Sequence, residues 1–164
     1  MMEFLNNILG NLVGEAVFAT LTVLGGFLWL RYRNMKRVRR EGHFTKSPNS
    51  EHIAYEDKGD IYVDDKHGFR NLTQSRTREY GVVWNQNSRL IAFQCASGKN
   101  MLSIIVADVE AGVASTLLTF PMPTDGWGRR LSWNGSGDLI VDLGGSEYRV
   151  KRNEIAIRLY GGRT

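Results

Sequence analysis

Side chains that often do chemistry are few in this sequence, and their spacing matches no compact catalytic or metal-binding pattern. The histidines are His43, His52 and His67, and the sole cysteine is Cys95. Zinc ligands typically lie about two to five positions apart within each pair. We therefore expect solvated turn histidines and no metal site, and a single cysteine excludes an internal disulfide.

Other candidate catalytic groups lack the context that their chemistry needs. The acidic patch Asp57, Asp60, Asp64 and Asp65 has neither the glycine nor the closing glutamate of a calcium loop. Ser136 lies between glycines but outside a G-x-S-x-G turn, and no phosphate-binding or dinucleotide-binding motif occurs. The sequence thus predicts a protein that is not an enzyme and that uses no cofactor or small-molecule substrate.

One loop has the composition of a binding surface. It follows Pro121 and carries Trp127, Arg129 and Arg130. Tryptophan and arginine are enriched among the residues that dominate binding energy at protein interfaces. We predict these three side chains as partner contacts, with a tryptophan folded back onto its own domain as the alternative.

The positive charge of the chain is concentrated in one short segment. The chain has 164 residues with 21 Lys and Arg, 17 Asp and Glu, and a net charge of +4. The excess comes from a basic cluster near the N-terminus, and the numbers balance beyond residue 40. The cluster consists of Arg31, Arg33, Lys36, Arg37, Arg39 and Arg40. This distribution argues against a nucleic-acid partner.

An apolar stretch over residues 12–30 precedes this cluster. A helix needs about 20 apolar residues to cross a bilayer, and the Trp29-Leu30-Arg31 ending is typical of a stop-transfer segment rather than a cleaved signal peptide. The sequence predicts a single-pass anchor in a cell inner membrane. Because cations stay on the cytoplasmic side, we expect the following domain in the cytoplasm, with the periplasm as the alternative. The basic cluster would lie on the membrane surface.

One face of the predicted membrane helix favours lateral packing. Its small residues are Gly10, Gly14, Thr22 and Gly26, and Glu15 lies beside them. Small residues allow close helix approach, and a carboxylate inside a span usually has a partner or a role. The alternatives are the general abundance of glycine in such helices and a Glu15 that reaches the headgroups.

Beyond residue 44 the sequence predicts short antiparallel strands separated by Asn, Asp, Gly and Ser. Their close spacing leaves no room for crossover helices. The candidate strands cover residues 52–55, 60–63, 81–84, 89–94, 103–108, 115–120, 130–133, 139–143, 148–151 and 155–160.

An internal repeat connects these strands. Three polar turns, Ser47-Pro48-Asn49-Ser50, Asn85-Gln86-Asn87-Ser88 and Asn134-Gly135-Ser136-Gly137, each precede a hydrophobic run. Trp84 and Trp133 stand directly before the second and third turns and are expected to be core anchors. Such a repeat of about 40–50 residues is typical of propeller blades.

The order of an aromatic residue, a polar turn, Ile-Ala-Phe, Ile-Tyr-Val and Leu-Thr resembles the TolB-like (WD40-like) β-propeller repeat over about residues 44–143. The resemblance implies two to three blade-like units, fewer than the four to eight of a closed ring. We therefore expect an all-β soluble domain, either a partial propeller or blade-like stack or a small β-sandwich or barrel, behind one N-terminal transmembrane helix.

These expectations define a domain plan and a function. The plan is a short extracytoplasmic segment over 1–11, a membrane helix over 12–30, a basic linker over 31–43 and a β-rich domain over 44–164. We predict a non-enzymatic interaction module, an accessory or scaffold subunit of a bacterial inner-membrane assembly, whose partners are the membrane and other proteins or further copies of itself. The alternative is a membrane effector or sensor whose helix oligomerises and perturbs the bilayer.

Overall fold

The computed structural model of the chain describes residues 2–66, 68–75, 77–97, 100–122, 129–144 and 146–161, and it leaves aside the side chains of residues 2–16, 18, 40, 41 and 97. The chain divides into two compact units, Met1–Arg40 and Glu41–Thr164. The first unit is the helix α1, which spans Met2–Glu41. The predicted linker over 31–43 is thus helical up to Glu41.

The second unit contains three antiparallel sheets and one short helix. Sheet 1 comprises β1 (His43–Lys46), β2 (Ile53–Asp57), β3 (Asp60–Asp65) and β4 (Gly68–Asn71). Sheet 2 comprises β5 (Arg78–Trp84), β6 (Leu90–Ser97), β7 (Met101–Asp108) and β8 (Val113–Pro121). Sheet 3 comprises β9 (Arg130–Trp133), β10 (Leu139–Asp142) and β11 (Glu147–Val150), and the helix α2 (Arg152–Tyr160) follows it. Within each sheet the strands lie in chain order.

Sheet 2 is the middle layer, because both of its faces are buried. Ile91 and Phe93 belong to a core shared with sheet 1, whereas Ala92 between them belongs to a core shared with sheet 3 and α2. All three residues are fully buried. Successive side chains of a strand point to opposite faces, so the unbroken apolar run of β6 is what a strand between two layers requires.

The outer face of sheet 3 is mostly polar. Arg130 and Ser132 of β9 and Arg149 of β11 are exposed there, with Ile140 between them on β10. This terminal sheet therefore does not end the stack on an apolar surface.

The predicted membrane anchor is wrong. In the described side chains of α1 the apolar run ends at Leu30, and Arg31 and Arg33 follow within the same helix. A span needs about 20 apolar residues, and no helix in the described part of the chain is long and apolar enough to cross a membrane. The predicted single-pass inner-membrane localisation is contradicted by the same finding.

The predicted fold class, an all-β domain behind one transmembrane helix, is wrong because α1 does not meet the requirements of a membrane span. The prediction also omitted α2. Three antiparallel sheets are accompanied by two helices. The segment Ile155–Tyr160, predicted as a strand, forms most of α2 because Ile155 and Leu159, one helical turn apart, are the two side chains that become buried. The short strands β1 and β4 were not predicted.

Candidate functional site

Three equivalent turns lie before the second strand of each sheet and are built in the same way. The first residue of each turn accepts a backbone N–H through its side chain: Ser47 from His52 at 3.0 Å, Asn85 from Leu90 at 2.9 Å and Asn134 from Asp138 at 2.9 Å. Such short polar side chains stabilise turns by these local bonds. The repeat seen in the sequence is therefore a repeat of local structure.

The fourth residue of each turn has a left-handed backbone. Ser50, Ser88 and Gly137 have φ values of 61°, 62° and 79°. Only glycine adopts this conformation without steric cost. At Gly137 an added Cβ would also lie 3.3 Å from the Cδ of Arg152. The glycine thus allows the first residue of α2 to lie close against the third turn.

The helix α2 is held in place at both ends. Asp138, which directly follows the third turn, accepts the backbone N–H of Arg152 at 3.0 Å. This bond, together with one from the Asn134 side chain, holds the pKa of Asp138 below its usual value. At the other end, the N–H of Gly161 closes the last helical turn by donating to the carbonyl of Ile157 at 2.7 Å, and the hydroxyl of Tyr160 donates to Asp108 of sheet 2. The third turn therefore fixes where α2 starts.

A buried carboxylate connects sheet 2 to the C-terminal end of α2. Asp108 is fully buried. It accepts the Arg89 Nε–H at 2.7 Å, the Ala111 N–H at 2.9 Å and the hydroxyl of Tyr160. Burial alone raises the pKa of Asp108, but these three donors outweigh it and the pKa is lowered. The same contacts raise the pKa of Arg89, and burial and the bond to Asp108 raise the pKa of Tyr160.

A cleft of about 300 Å³ opens between the second turn, the third turn and α2. Its apolar floor is formed by Leu90, Ile155 and Leu159. Its rim carries side-chain amides and a hydroxyl from the two turns, and the arginines Arg89 and Arg152. No carboxylate is among its described lining residues. The rim polar residues are Asn85, Gln86, Asn87, Arg89, Ser136, Arg152 and Tyr160.

The cleft is suited to bind an anion attached to an apolar group. Guanidinium groups stay protonated in proteins and bind carboxylates or phosphates through paired N–H groups. Arg89 is 47% exposed although it bonds Asp108, so part of its guanidinium faces solvent. The Tyr160 hydroxyl is engaged by Asp108. The donors that the cleft offers a ligand are therefore the guanidinium groups of Arg89 and Arg152.

A second cavity, of about 470 Å³, lies near the junction of sheets 1 and 2. Glu56 and Glu79 line it together with Lys58 and Arg78. Opposite charges are mixed in its wall, so it favours neither sign of ligand. The cleft beside α2 is the better-defined site.

The predicted partner contacts are not brought together in the cleft. Trp127 lies outside the described residues. Arg129 is half-buried, and its backbone N–H donates to the Gln94 side chain. Arg130 is exposed on β9, opposite Asp142. Of the predicted set, Arg130 is the described residue with an exposed side chain.

The residues predicted for membrane packing lie in α1. The structure describes only the backbone of Gly10, Gly14 and Glu15. Thr22 is exposed, and nothing described lies within 4 Å of a Cβ placed on Gly26.

The predicted basic cluster is helical. Arg33 lies over the ring of Trp29 at 5.4 Å and Lys36 over that of Tyr32 at 5.1 Å. These pairs are one helical turn apart, where side chains meet. The side chain of Arg40 is outside the described residues, and the remaining members, Arg31, Arg37 and Arg39, lie in the same helix.

The histidines differ from one another. His43 is exposed, whereas His52 is only 5% exposed and stacks on Trp84 at 5.8 Å between ring centroids. The prediction of a solvated turn histidine is therefore wrong for His52, because the turn folds back against sheet 2. His67 lies outside the described residues. In the acidic patch, Asp60 accepts from Asn71 at 2.8 Å and Asp65 pairs with Arg70 at 2.9 Å.

Sequence reasoning missed Arg89, Asp108, Arg152 and Tyr160. The signal that was available is the helical spacing of Ile155 and Leu159, with Asn153 and Glu154 before them and Gly161 after them. Reading that segment as a helix would have placed Arg152 and Tyr160 at its two ends.

A scan against protein-family models finds no match for this chain, and a search of the curated proteins finds no similar sequence. The function must therefore be argued from the site.

Proposed function

We propose that this chain is a non-enzymatic protein-interaction module that binds an acidic segment of a partner in the cleft beside α2. The observation that carries the proposal is the charge of the cleft, which has two arginines and no carboxylate among its described lining residues. A peptide carboxylate would pair with Arg152 and the exposed part of Arg89, and an adjacent apolar side chain would cover Leu90, Ile155 and Leu159.

The rigidity of the cleft supports a binding role. Its walls are two hydrogen-bonded turns and a helix fixed at both ends, so few groups need to be ordered when a ligand binds. Preorganised sites lose less of their interaction free energy to ordering. The TolB-like resemblance also fits, since we propose that the three sheets with matching turns are units of such a repeat, and propellers commonly serve as binding platforms.

The first unit supports interaction with proteins by a different observation. The described part of α1 exposes large apolar side chains on all sides of the helix, including Leu21 at 62%, Val23 at 71% and Phe27 at 63%. Large exposed apolar patches mark interaction sites. We propose that α1 contributes a further contact to an assembly.

A peptide selection tests the cleft. The full chain is used to select binders from a random peptide library, and we expect enrichment of Asp or Glu next to Leu, Ile or Phe. A labelled peptide from the selection is then titrated against Arg152→Glu and Arg158→Glu. Both arginines are exposed on α2, but only Arg152 lines the cleft.

We expect Arg152→Glu to weaken binding about 30-fold, because a charge-assisted bond worth about 2 kcal/mol is replaced by repulsion. Arg158→Glu should change it less than about threefold, since surface charges away from the site act weakly. Selection of basic or charge-free peptides, or equal effects of the two variants, would refute the proposal.

A further inference from the structure

Sheet 3 is one strand shorter than the other two sheets. Sheets 1 and 2 each have four strands in chain order, and sheet 3 has three. The chain leaves β11 for α2 and not for a fourth strand. Beside β11, at the place that β4 and β8 hold in the other sheets, the described part of the chain places no strand. The backbone groups on that side of β11 are a template for strand pairing.

The side chains of this edge are accessible. Glu147, Tyr148 and Arg149 are exposed, with Tyr148 at 44%, and Val150 alone is buried. The helix α2 packs against β7 and β8, which belong to sheet 2. An extended segment can therefore reach β11 from the side.

The charges along the edge indicate which segment fits. Across the outer face of sheet 3, Arg130 of β9 faces Asp142 of β10, and Asp142 in turn faces Glu147 of β11. Two carboxylates thus stand on neighbouring strands, about 5 Å apart. Like charges directly opposite one another destabilise a sheet. A cation on an added strand, opposite Glu147, would offset this repulsion by pairing with Glu147 from the other side.

A second copy of β11 supplies that cation. In an antiparallel pair centred on Tyr148, Glu147 of each copy stands opposite Arg149 of the other, and the two Tyr148 rings form the central pair. Opposite charges and aromatic pairs are the cross-strand combinations that stabilise antiparallel strands. The three-residue sequence Glu147-Tyr148-Arg149 is therefore complementary to itself.

We propose that two copies of this chain associate through their β11 edges, with a two-fold axis at Tyr148, so that the two third sheets form one continuous six-stranded sheet. This surface is separate from the cleft beside α2, and the proposal does not depend on the peptide-binding function. A symmetric pairing of this kind closes on itself, so it ends at a dimer.

Charge exchange tests the pairing. Sedimentation velocity of the full chain over a concentration series gives the dimer dissociation constant. Glu147→Arg alone places Arg opposite Arg149, and Arg149→Glu alone places Glu opposite Glu147. Each should weaken dimerisation about tenfold or more, because both symmetry-related pairs become repulsive. The double variant Glu147→Arg with Arg149→Glu restores opposite charges and should return the constant to within about threefold of the original value.

A matched charge change elsewhere serves as the control. Lys46→Glu alters an exposed strand residue of sheet 1 by the same charge as Arg149→Glu, and it should leave the dissociation constant unchanged. Circular dichroism melts establish that all variants fold. A monomeric parent chain at every concentration would overturn the proposal, as would a double variant as weak as the single ones. A monomeric parent chain would mean that the charges of Glu147 and Arg149 prevent this edge from pairing with another strand.

Cysteine crosslinking fixes the register. In a Cys95→Ser background, Tyr148→Cys should form an intermolecular disulfide on mild oxidation, because directly opposite residues have Cα atoms about 4.5–5.5 Å apart. Glu147→Cys should crosslink poorly, since two copies of that residue would be about 8 Å apart in this register. Equal crosslinking of the two variants, or preferential crosslinking at 147, would refute the two-fold axis at Tyr148.

Discussion

At the scale of single residues, Asp108 is the group on which most of the site depends. Its carboxylate accepts hydrogen bonds from the Ala111 N–H in the turn after β7, from Arg89 just before β6 and from Tyr160 at the end of α2. A fully buried carboxylate is tolerated only when such partners replace its hydration. Asp108 therefore couples the position of Arg89 in the cleft to the position of α2.

This coupling predicts a pH-dependent stability. Because the folded pKa of Asp108 lies below that of the unfolded chain, about 3.9, its contribution is fully present above that value and is lost as pH falls through the folded pKa. Asp108→Asn should cost about 1–3 kcal/mol at neutral pH. It should also remove part of the loss of stability below about pH 4. Urea unfolding at several pH values measures both effects.

Arg130→Gln is the control for the loss of a charged residue, since Arg130 is exposed and should change the free energy of unfolding by less than about 0.5 kcal/mol. If Asp108→Asn has the same unfolding free energy as the parent chain at neutral pH, the carboxylate does not hold α2 and the cleft together.

At the scale of secondary-structure elements, α2 fixes one wall of the cleft by burying one side of a nine-residue helix. Ile155 and Leu159 are buried, at 1% and 7% exposure, whereas Ile157 between them is 66% exposed. A helix this short is not stable by itself in water. Its position must come from this packing and from the bonds at its ends.

The two isoleucines provide a matched pair of substitutions. Ile155→Ala should lower the free energy of unfolding by about 2–5 kcal/mol, as is usual when a buried isoleucine is truncated. Ile157→Ala should change it by less than about 0.5 kcal/mol, because an exposed side chain loses little contact and alanine favours helix. Chemical denaturation of the full-length variants distinguishes them. Similar losses for both would mean that α2 does not pack through its Ile155 face.

The sequence allowed much of the sheet structure to be predicted, because local signals define it. The polar turns after Lys46, Trp84 and Trp133 each precede a strand, as predicted. The helix α2 was misread because Ile155-Ala156-Ile157 alternates like a strand over a few residues, and the helical spacing only emerges at Leu159. The Asp108 contacts join residues 19 and 52 positions apart, and no local pattern indicates which residues meet at such separations.

At the scale of the whole molecule, the β unit is three layers of sheet in which the middle layer has no free face. Ile91, Ala92 and Phe93 of β6 are all fully buried, and β6 and β7 are the inner strands of sheet 2. The outer sheets are each covered by sheet 2 on one face. Protection from solvent should therefore decrease from the middle of the stack to its ends.

Hydrogen exchange of the full chain measures this gradient. Amides of β6 and β7 should exchange slowest, by a mechanism that requires global unfolding, and those of β11 should exchange through local opening. At low protein concentration we expect β11 to exchange at least about 100-fold faster than β6, which corresponds to about 3 kcal/mol of difference in opening free energy. Protection of β11 equal to that of β6 at the lowest concentration would contradict the gradient.

The contacts of the two repeat tryptophans give the stack a direction. The indole N–H of Trp84 donates to the carbonyl of Thr45 in the sheet before it at 3.0 Å, and that of Trp133 donates to Val83 in the sheet before it at 3.3 Å. Lys46 occupies the matching position of sheet 1. Lysine has no indole N–H, so this type of bond runs from sheet 2 to sheet 1 and from sheet 3 to sheet 2. Among the three described units, the middle one both donates such a bond and accepts one, so duplicating it would lengthen the array with the same connection at every new junction.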